Sequence, residues 1–164
     1  MWPFNKYFID PRDSKKYKIK SIGNQGWMVE NLAFNIGVDG CCYFQDDAKN
    51  YKKYGMLYNW PGAMLSCPVG WRIPSRKDFE LLFQNIGGSN KDVIKSLKKS
   101  GFNNLFDGWK GYDRYFHKPL GGVKFWTSTN LNDTAEFVNI NSGSSLSYIG
   151  EIKGDFFTVC CIKN

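Results

Sequence analysis

The chain has 164 residues, 42% of them apolar and 17% aromatic, which suits one packed domain and excludes a disordered tail. Its formal charge is +7, and no apolar run approaches the ~18–20 residues that would span a bilayer, so a membrane span is excluded. Residues 1–119 hold 19 Lys or Arg against 11 Asp or Glu, while 120–164 hold 3 against 4. The excess lies in Lys15, Lys16, Lys18 and Lys20, which alternate, and in Lys91, Lys95, Lys98 and Lys99, which repeat at helical spacing. Both patterns read as solvated faces, so no nucleic-acid partner is expected.

The start, Met1-Trp2-Pro3-Phe4-Asn5-Lys6, has no basic segment ahead of a long apolar stretch and no small-residue cleavage site. Were it a native start, a phage-like or injection-system tip would fit better than ordinary secretion. Residues 7–32 then read as a hairpin: Tyr17, Ile19 and Ser21 alternate with lysines, and Gly23-Asn24-Gln25-Gly26 supplies turn chemistry before Trp27-Met28-Val29. The stretch 35–55 is polar and interrupted by glycine, an irregular excursion with a short helix around Asp46 to Lys53.

A turn of helix is expected from Trp60-Pro61, proline being tolerated in a first turn. Ser75-Arg76-Lys77-Asp78 resembles a capping box, and Phe79, Leu82, Phe83 and Ile86 follow at helical spacing until Gly87-Gly88. Asn90 can cap a second helix with Val93, Ile94 and Leu97 on its apolar face and Gly101 at its end. Beyond Gly101 the composition turns to Gly, Asn, Ser, Tyr and Trp, which predicts loops and short strands at 123–127, 135–140, 145–149 and 155–162. No repeat or linker divides the chain, so one α+β domain covers 1–164.

The five cysteines, at 41, 42, 67, 160 and 161, lack the close pairs of a structural zinc site. A bridge from a middle cysteine to the C-terminal pair would close a loop of roughly 95 residues in an oxidising compartment. Reduced, buried thiols are the alternative, and an odd count leaves one cysteine outside any internal bridge. The single histidine, His117, has no nucleophile elbow to serve and reads as a loop residue. Asp46 and Asp47 lack calcium-loop spacing and read as a solvated turn. The glycine pairs at 87–88 and 121–122 fit no nucleotide-binding loop, so no cofactor is expected.

Thirteen Phe, nine Tyr and six Trp are more rings than a core of this size needs. Trp27, Trp60, Trp71 and Trp126 adjoin strand or helix signals and read as core. Trp109, Tyr112, Tyr115, Asn130, Asn132, Asn139, Asn141 and Tyr148 combine large amphipathic contact area with adaptable hydrogen bonding, the palette of recognition surfaces.

Several blocks resemble the Fibrobacter succinogenes major paralogous domain. They are Asp10-Pro11-Arg12-Asp13 and Gly23-Asn24-Gln25-Gly26-Trp27-Met28-Val29-Glu30-Asn31-Leu32, then Tyr54-Gly55-Met56-Leu57-Tyr58-Asn59-Trp60 and Cys67-Pro68-Val69-Gly70-Trp71-Arg72-Ile73-Pro74-Ser75, and finally Phe125-Trp126-Thr127-Ser128-Thr129 and Val159-Cys160-Cys161-Ile162. The resemblance implies a C-type-lectin-like fold, with two helices flanking a small twisted antiparallel sheet, long irregular loops, and paired N- and C-terminal strands. It implies a disulfide between Cys67 and Cys161, with Cys160 where the family tends to carry arginine. The family's cysteine just before Tyr54-Gly55 is absent, leaving Cys41 and Cys42 without that partner.

The triplets of calcium-dependent sugar-binding lectins and the cysteine arrangement of copper-dependent formylglycine-generating enzymes are missing. The expected function is therefore a non-catalytic, extracellular or cell-surface recognition module. Its partner would be a protein or glycan receptor met by the aromatic- and Asn-rich face of 101–153, with homo-oligomerisation or attachment to a larger fibre supplying valency. A structural tip or cap domain is the alternative, ahead of a metal enzyme of the formylglycine-generating type.

Overall fold

Period-two alternation near the start of the chain produces the expected hairpin. In the computed structural model, which describes residues 6–37, 39–87, 92–103, 105–141, 143 and 145–164, Tyr7–Ile9 (β1) pairs antiparallel with Lys16–Ile22 (β2), and β2 with Gln25–Met28 (β3). The β2–β3 turn needs a positive φ, and Gly23 supplies it at 59° without Cβ strain. The opening residues Met1 to Asn5 lie outside the described residues.

The excursion at 35–55 holds Cys41–Cys42 (β4), two short 3-10 turns, and Tyr51–Tyr54 (α1). Strand β4 pairs with Leu57–Tyr58 (β5). Trp60–Ser66 (α2) starts where Asn59 accepts the Gly62 N–H at 2.9 Å, with Pro61 in its first turn. After Trp71–Arg72 (β6), Ser75 and Asp78 close a reciprocal capping box that opens Arg76–Asn85 (α3). Phe79, Leu82 and Phe83 are buried as their spacing predicts. Val93–Ser100 (α4) buries Val93, Ile94 and Leu97 and stops at Gly101, whose φ is 108°. Its cap is Asp92, which accepts the Lys95 N–H at 3.1 Å; Gly88 and Asn90 lie outside the described residues.

The last third is more regular than its composition suggests. Trp109–Lys110 (β7) pairs with Phe116–His117 (β8), and Val123–Leu131 (β9), Thr134–Ile140 (β10) and Leu146–Ile152 (β11) form an antiparallel sheet in the order β11-β10-β9. Asn130, expected in a loop beyond 123–127, is a strand residue, because pairing with a neighbouring strand overrides the weak strand propensity of asparagine, while Asn139 lies in a strand as expected at 135–140.

The expected strand at 155–162 is also corrected. Only Ile162–Lys163 (β12) is laddered, between β3 and β6, completing a sheet in the order β1-β2-β3-β12-β6. Ahead of it Phe156, Phe157 and Thr158 each bridge a different partner: Lys110, Tyr58 and Phe125. The C-terminal strand thus joins the N-terminal sheet beside β3 rather than beside β1. The described residues form an α+β fold with four α-helices, the longer α3 and α4 and the short α1 and α2 near the turns expected at Asp46 to Lys53 and from Trp60, and several antiparallel sheets.

Alternation divides most of the interior in two, beside a third, smaller cluster of Phe44, Leu57 and Phe106. Met28, Trp126, Phe137, Phe157, Val159 and Cys161 face one core, and Trp27, Phe125, Val138, Cys160 and Ile162 face the other, with α3 and α4 closing the second. Trp27 meets Phe79 at 5.5 Å and Phe102 at 6.0 Å between ring centroids. Trp27, Trp71 and Trp126 are buried as expected. Trp60 is partly buried, packed against the core with its indole N–H donating to the buried Thr127 carbonyl at 2.9 Å.

Cys67 and Cys161 form a disulfide spanning 94 residues, tying the end of α2 to the C-terminal segment. Replacing both by serine is expected to lower stability by about 2–5 kcal/mol, read as an earlier urea midpoint. Burial raises the Asp78 carboxyl, but the Arg72 guanidinium at 2.6 Å and the Ser75 N–H and hydroxyl outweigh it and leave the group below its ordinary 3.8. A depressed folded value adds stability that is present above the ordinary value and lost as pH falls through the folded one. Asp78→Asn should therefore cost about 1–2 kcal/mol at neutral pH and progressively less in acid, measured by denaturation across pH.

Candidate functional site

The hairpin β7–β8 is fixed at its base by two backbone bonds to the C-terminal segment, Phe156 N–H to the Lys110 carbonyl at 2.8 Å and the reverse at 3.2 Å. Trp109 is half-buried there, stacked on His117 at 3.9 Å and against Phe157 at 5.7 Å. At the tip, the Gly111 N–H donates to the Tyr115 carbonyl at 2.9 Å, and the Asp113 carboxylate accepts the Tyr115 N–H at 3.1 Å. This leaves Tyr112 and Tyr115 projecting, 67% and 72% exposed.

Asp155 fastens the tip from behind. Its carboxylate is buried and accepts the Tyr112 N–H at 2.8 Å. Burial raises its pKa above 3.8, and the Tyr112 N–H only partly offsets this. Two residues earlier, the Lys153 ammonium donates to the Asn132 carbonyl and lies 5.1 Å from the Trp60 ring. Asn132, with φ at 67°, turns the chain between β9 and β10, and its N–H donates to the Asn130 side chain at 3.1 Å. Lys153 and Asp155 therefore bring Trp109, Tyr112, Tyr115, Asn130 and Asn132 to one end of the molecule.

The other three residues of the expected set stand elsewhere. Asn139 is half-buried, between Lys124 and Ser147, and Asn141 closes the β10–β11 turn by accepting the Ser145 N–H at 3.0 Å. Seven residues of β10 put them about 20 Å from the Asn132 turn. Tyr148 lies half-buried beneath the Arg76 guanidinium, 4.4 Å from ring centre, and its hydroxyl finds no hydrogen-bond partner among the described residues. Sequence reasoning missed Lys153 and Asp155. The available signal was a carboxylate placed directly before the apolar run Phe156-Phe157.

The remaining thiols are poorly placed for chemistry. Cys41, Cys42 and Lys110 line a cavity of about 230 Å³ with Tyr43 and Met56. Burial raises the Cys41 thiol, pushes Cys42 up to about 12, and raises Cys160 further, so all three hold their protons at neutral pH. Lys110 pairs with Asp46 at 3.4 Å, so Asp46 contributes to a surface ion pair. Among the described residues, no three His, Cys, Asp or Glu gather to hold a metal.

The sequence pattern of the Fibrobacter succinogenes major domain matches residues 21–163. No curated protein and no solved structure matches the chain.

Because the native state binds the Asp155 proton more tightly than the unfolded chain, this group costs stability as pH rises from 3.8 through its folded value. Asp155→Asn is expected to remove that loss while keeping the Tyr112 tether through the amide oxygen. Asp155→Ala should release the hairpin, seen as faster hydrogen exchange at Tyr112 with little change in the β10 amides.

Proposed function

The chain belongs to the Fibrobacter succinogenes major domain family, and on that premise we propose that it is a non-catalytic recognition module of C-type-lectin-like fold. It offers aromatic and amide side chains to a protein or glycan on another surface. The observation that carries this reading is the pair of exposed phenols at Tyr112 and Tyr115, held on a hairpin whose base and tip are both fixed. Rings pre-positioned in this way bind without a large ordering cost.

The lectin-like part of the reading draws support from terminal segments that share one sheet, from helices packed beside sheets, and from irregular connections that carry exposed rings. The non-catalytic part draws support from thiols that burial keeps protonated. An extracellular or cell-surface setting accords with the Cys67–Cys161 bridge. One hairpin is a small footprint, so self-association or display on a fibre would supply avidity. A tip or cap domain is the second reading, favoured by Leu65 and Val69, apolar and 77% and 98% exposed on either side of Cys67.

Glycan and protein arrays probed with the whole chain test the first reading. For a ligand so found, Tyr112→Ala, Tyr115→Ala and Asn132→Ala are each expected to weaken binding tenfold or more, whereas Asn139→Ala should leave it unchanged. Unchanged affinity in the first three variants overturns the hairpin assignment. Sedimentation of the same samples reads the valency.

A further inference from the structure

Strand β11 lies at the end of its sheet, with β10 on one side and no strand on the other. Asn141 and Ser145 form a hydrogen-bonded pair, the Asn141 N–H donating at 3.1 Å, and the register carries that pattern to Ser147, Ile149 and Glu151. Leu146, Tyr148, Gly150 and Ile152 therefore turn their backbone groups away from β10. Ile152 finds partners for both, its N–H on the Glu151 carboxylate and its carbonyl on the Asp155 N–H, each at 3.0 Å. The outward N–H and C=O groups of Leu146, Tyr148 and Gly150 bond to no backbone group among the described residues.

Such edges are commonly guarded by lysine, proline or shortness. Strand β1, at the edge of the other large sheet, has three residues, whereas β11 has seven, with no lysine or proline. Its one charge, Glu151, is folded back onto the neighbouring Ile152 N–H.

We propose that β11 is a dimerisation edge, and that its partner is β11 of a second copy of this chain, paired antiparallel about a two-fold axis at Ile149. The strand is self-complementary about that residue. Pairing there sets Leu146 against Ile152 of the second copy, Ser147 against Glu151, and Tyr148 against Gly150, where the absent side chain leaves room for the ring. Tyr148 and Gly150 exchange their outward backbone groups across the axis, twice by symmetry. Ile149, 39% exposed, meets its own copy at a position where Cα atoms come within about 4.5 Å. An axis at Tyr148 is opposed by charge, because it would bring together the two Arg76 guanidiniums that lie 4.4 Å from those rings. Growth stops at two copies, since the far edge of the sheet is covered: Phe125 bridges Thr158, and the Trp126 N–H donates to the Thr158 carbonyl at 3.2 Å. The ladder is short, so the dimer is reversible. It shares no residue with the β7–β8 hairpin and stands whether or not the hairpin binds anything.

Sedimentation velocity of the whole chain over a concentration series tests it, and the expected result is a monomer giving way to a dimer. Ile149→Lys should weaken self-association tenfold or more, while Val69→Lys, the same change at the exposed apolar residue beside Cys67, should alter it little. Cross-linking reads the register. Ile149→Cys should yield a disulfide-linked dimer on mild oxidation beyond any formed by the parent chain, its Cα atoms falling in the range of about 4.4–6.8 Å that a disulfide spans. Ser147→Cys, which the axis keeps about 13 Å from its own copy along the strand, should not. A monomer at every concentration overturns the proposal. So does a dimer that Ile149→Lys leaves intact or that Val69→Lys weakens equally, and so does cross-linking of Ser147→Cys as readily as Ile149→Cys. Circular dichroism of each variant checks that the fold is retained.

Discussion

The fold depends on how one extended segment, Asp155 to Asn164, satisfies its backbone groups. Almost every residue along it bonds to a different element. Phe156 exchanges bonds with Lys110 and Phe157 with Tyr58, the Thr158 carbonyl takes the Trp126 N–H at 3.2 Å, and Val159 takes that of Leu32 at 2.8 Å. Cys161 then accepts from Met28 at 2.9 Å, and Ile162 enters the ladder between β3 and β6. A buried peptide group without a partner costs about 1–3 kcal/mol, so the surrounding elements must arrive where this segment needs them. The disulfide from Cys161 to Cys67 adds a covalent tie at the same place.

This threading explains the two larger cores. A segment with alternate side chains in separate interiors is buried on both faces and must be apolar throughout, as Phe156 to Ile162 nearly is. It also explains the position of the exposed hairpin. The bonds at Lys110 anchor β7 to the segment, and the Asp155 carboxylate at its start tethers the tip. The recognition surface we propose is thus an outgrowth of the same extended segment that organises the interior. A cavity beside α1 rests on the same segment, since Leu32, between its lining residues Asn31 and Ala33, donates to the Val159 carbonyl at 2.8 Å.

Much of the scaffold was legible because the signals there are local. The capping box at Ser75 and Asp78, the i, i+3, i+4 spacing of Phe79, Leu82 and Phe83, and the turn at Gly23 each act within a few residues, and each appears where its chemistry places it. The eight expected recognition residues rest on composition, which carries no information about which strand a residue faces. Five of those eight share an end through Lys153 and Asp155, while Asn139, Asn141 and Tyr148 serve a strand, a turn and a helix contact.

The sequence by itself determined the helices, the N-terminal hairpin, the apolar character of the C-terminal run and, through its family blocks, the cysteine pairing. Periodicity and capping operate over distances the chain cannot rearrange, so these were readable residue by residue. Only the tertiary structure decided that the run Phe156 to Ile162 is a shared partner of several elements, laddered only at Ile162, and that Trp60 packs against the core without being fully buried. Those outcomes depend on contacts between residues tens of positions apart. There, hydrogen-bond satisfaction and burial of two faces outweigh any local preference.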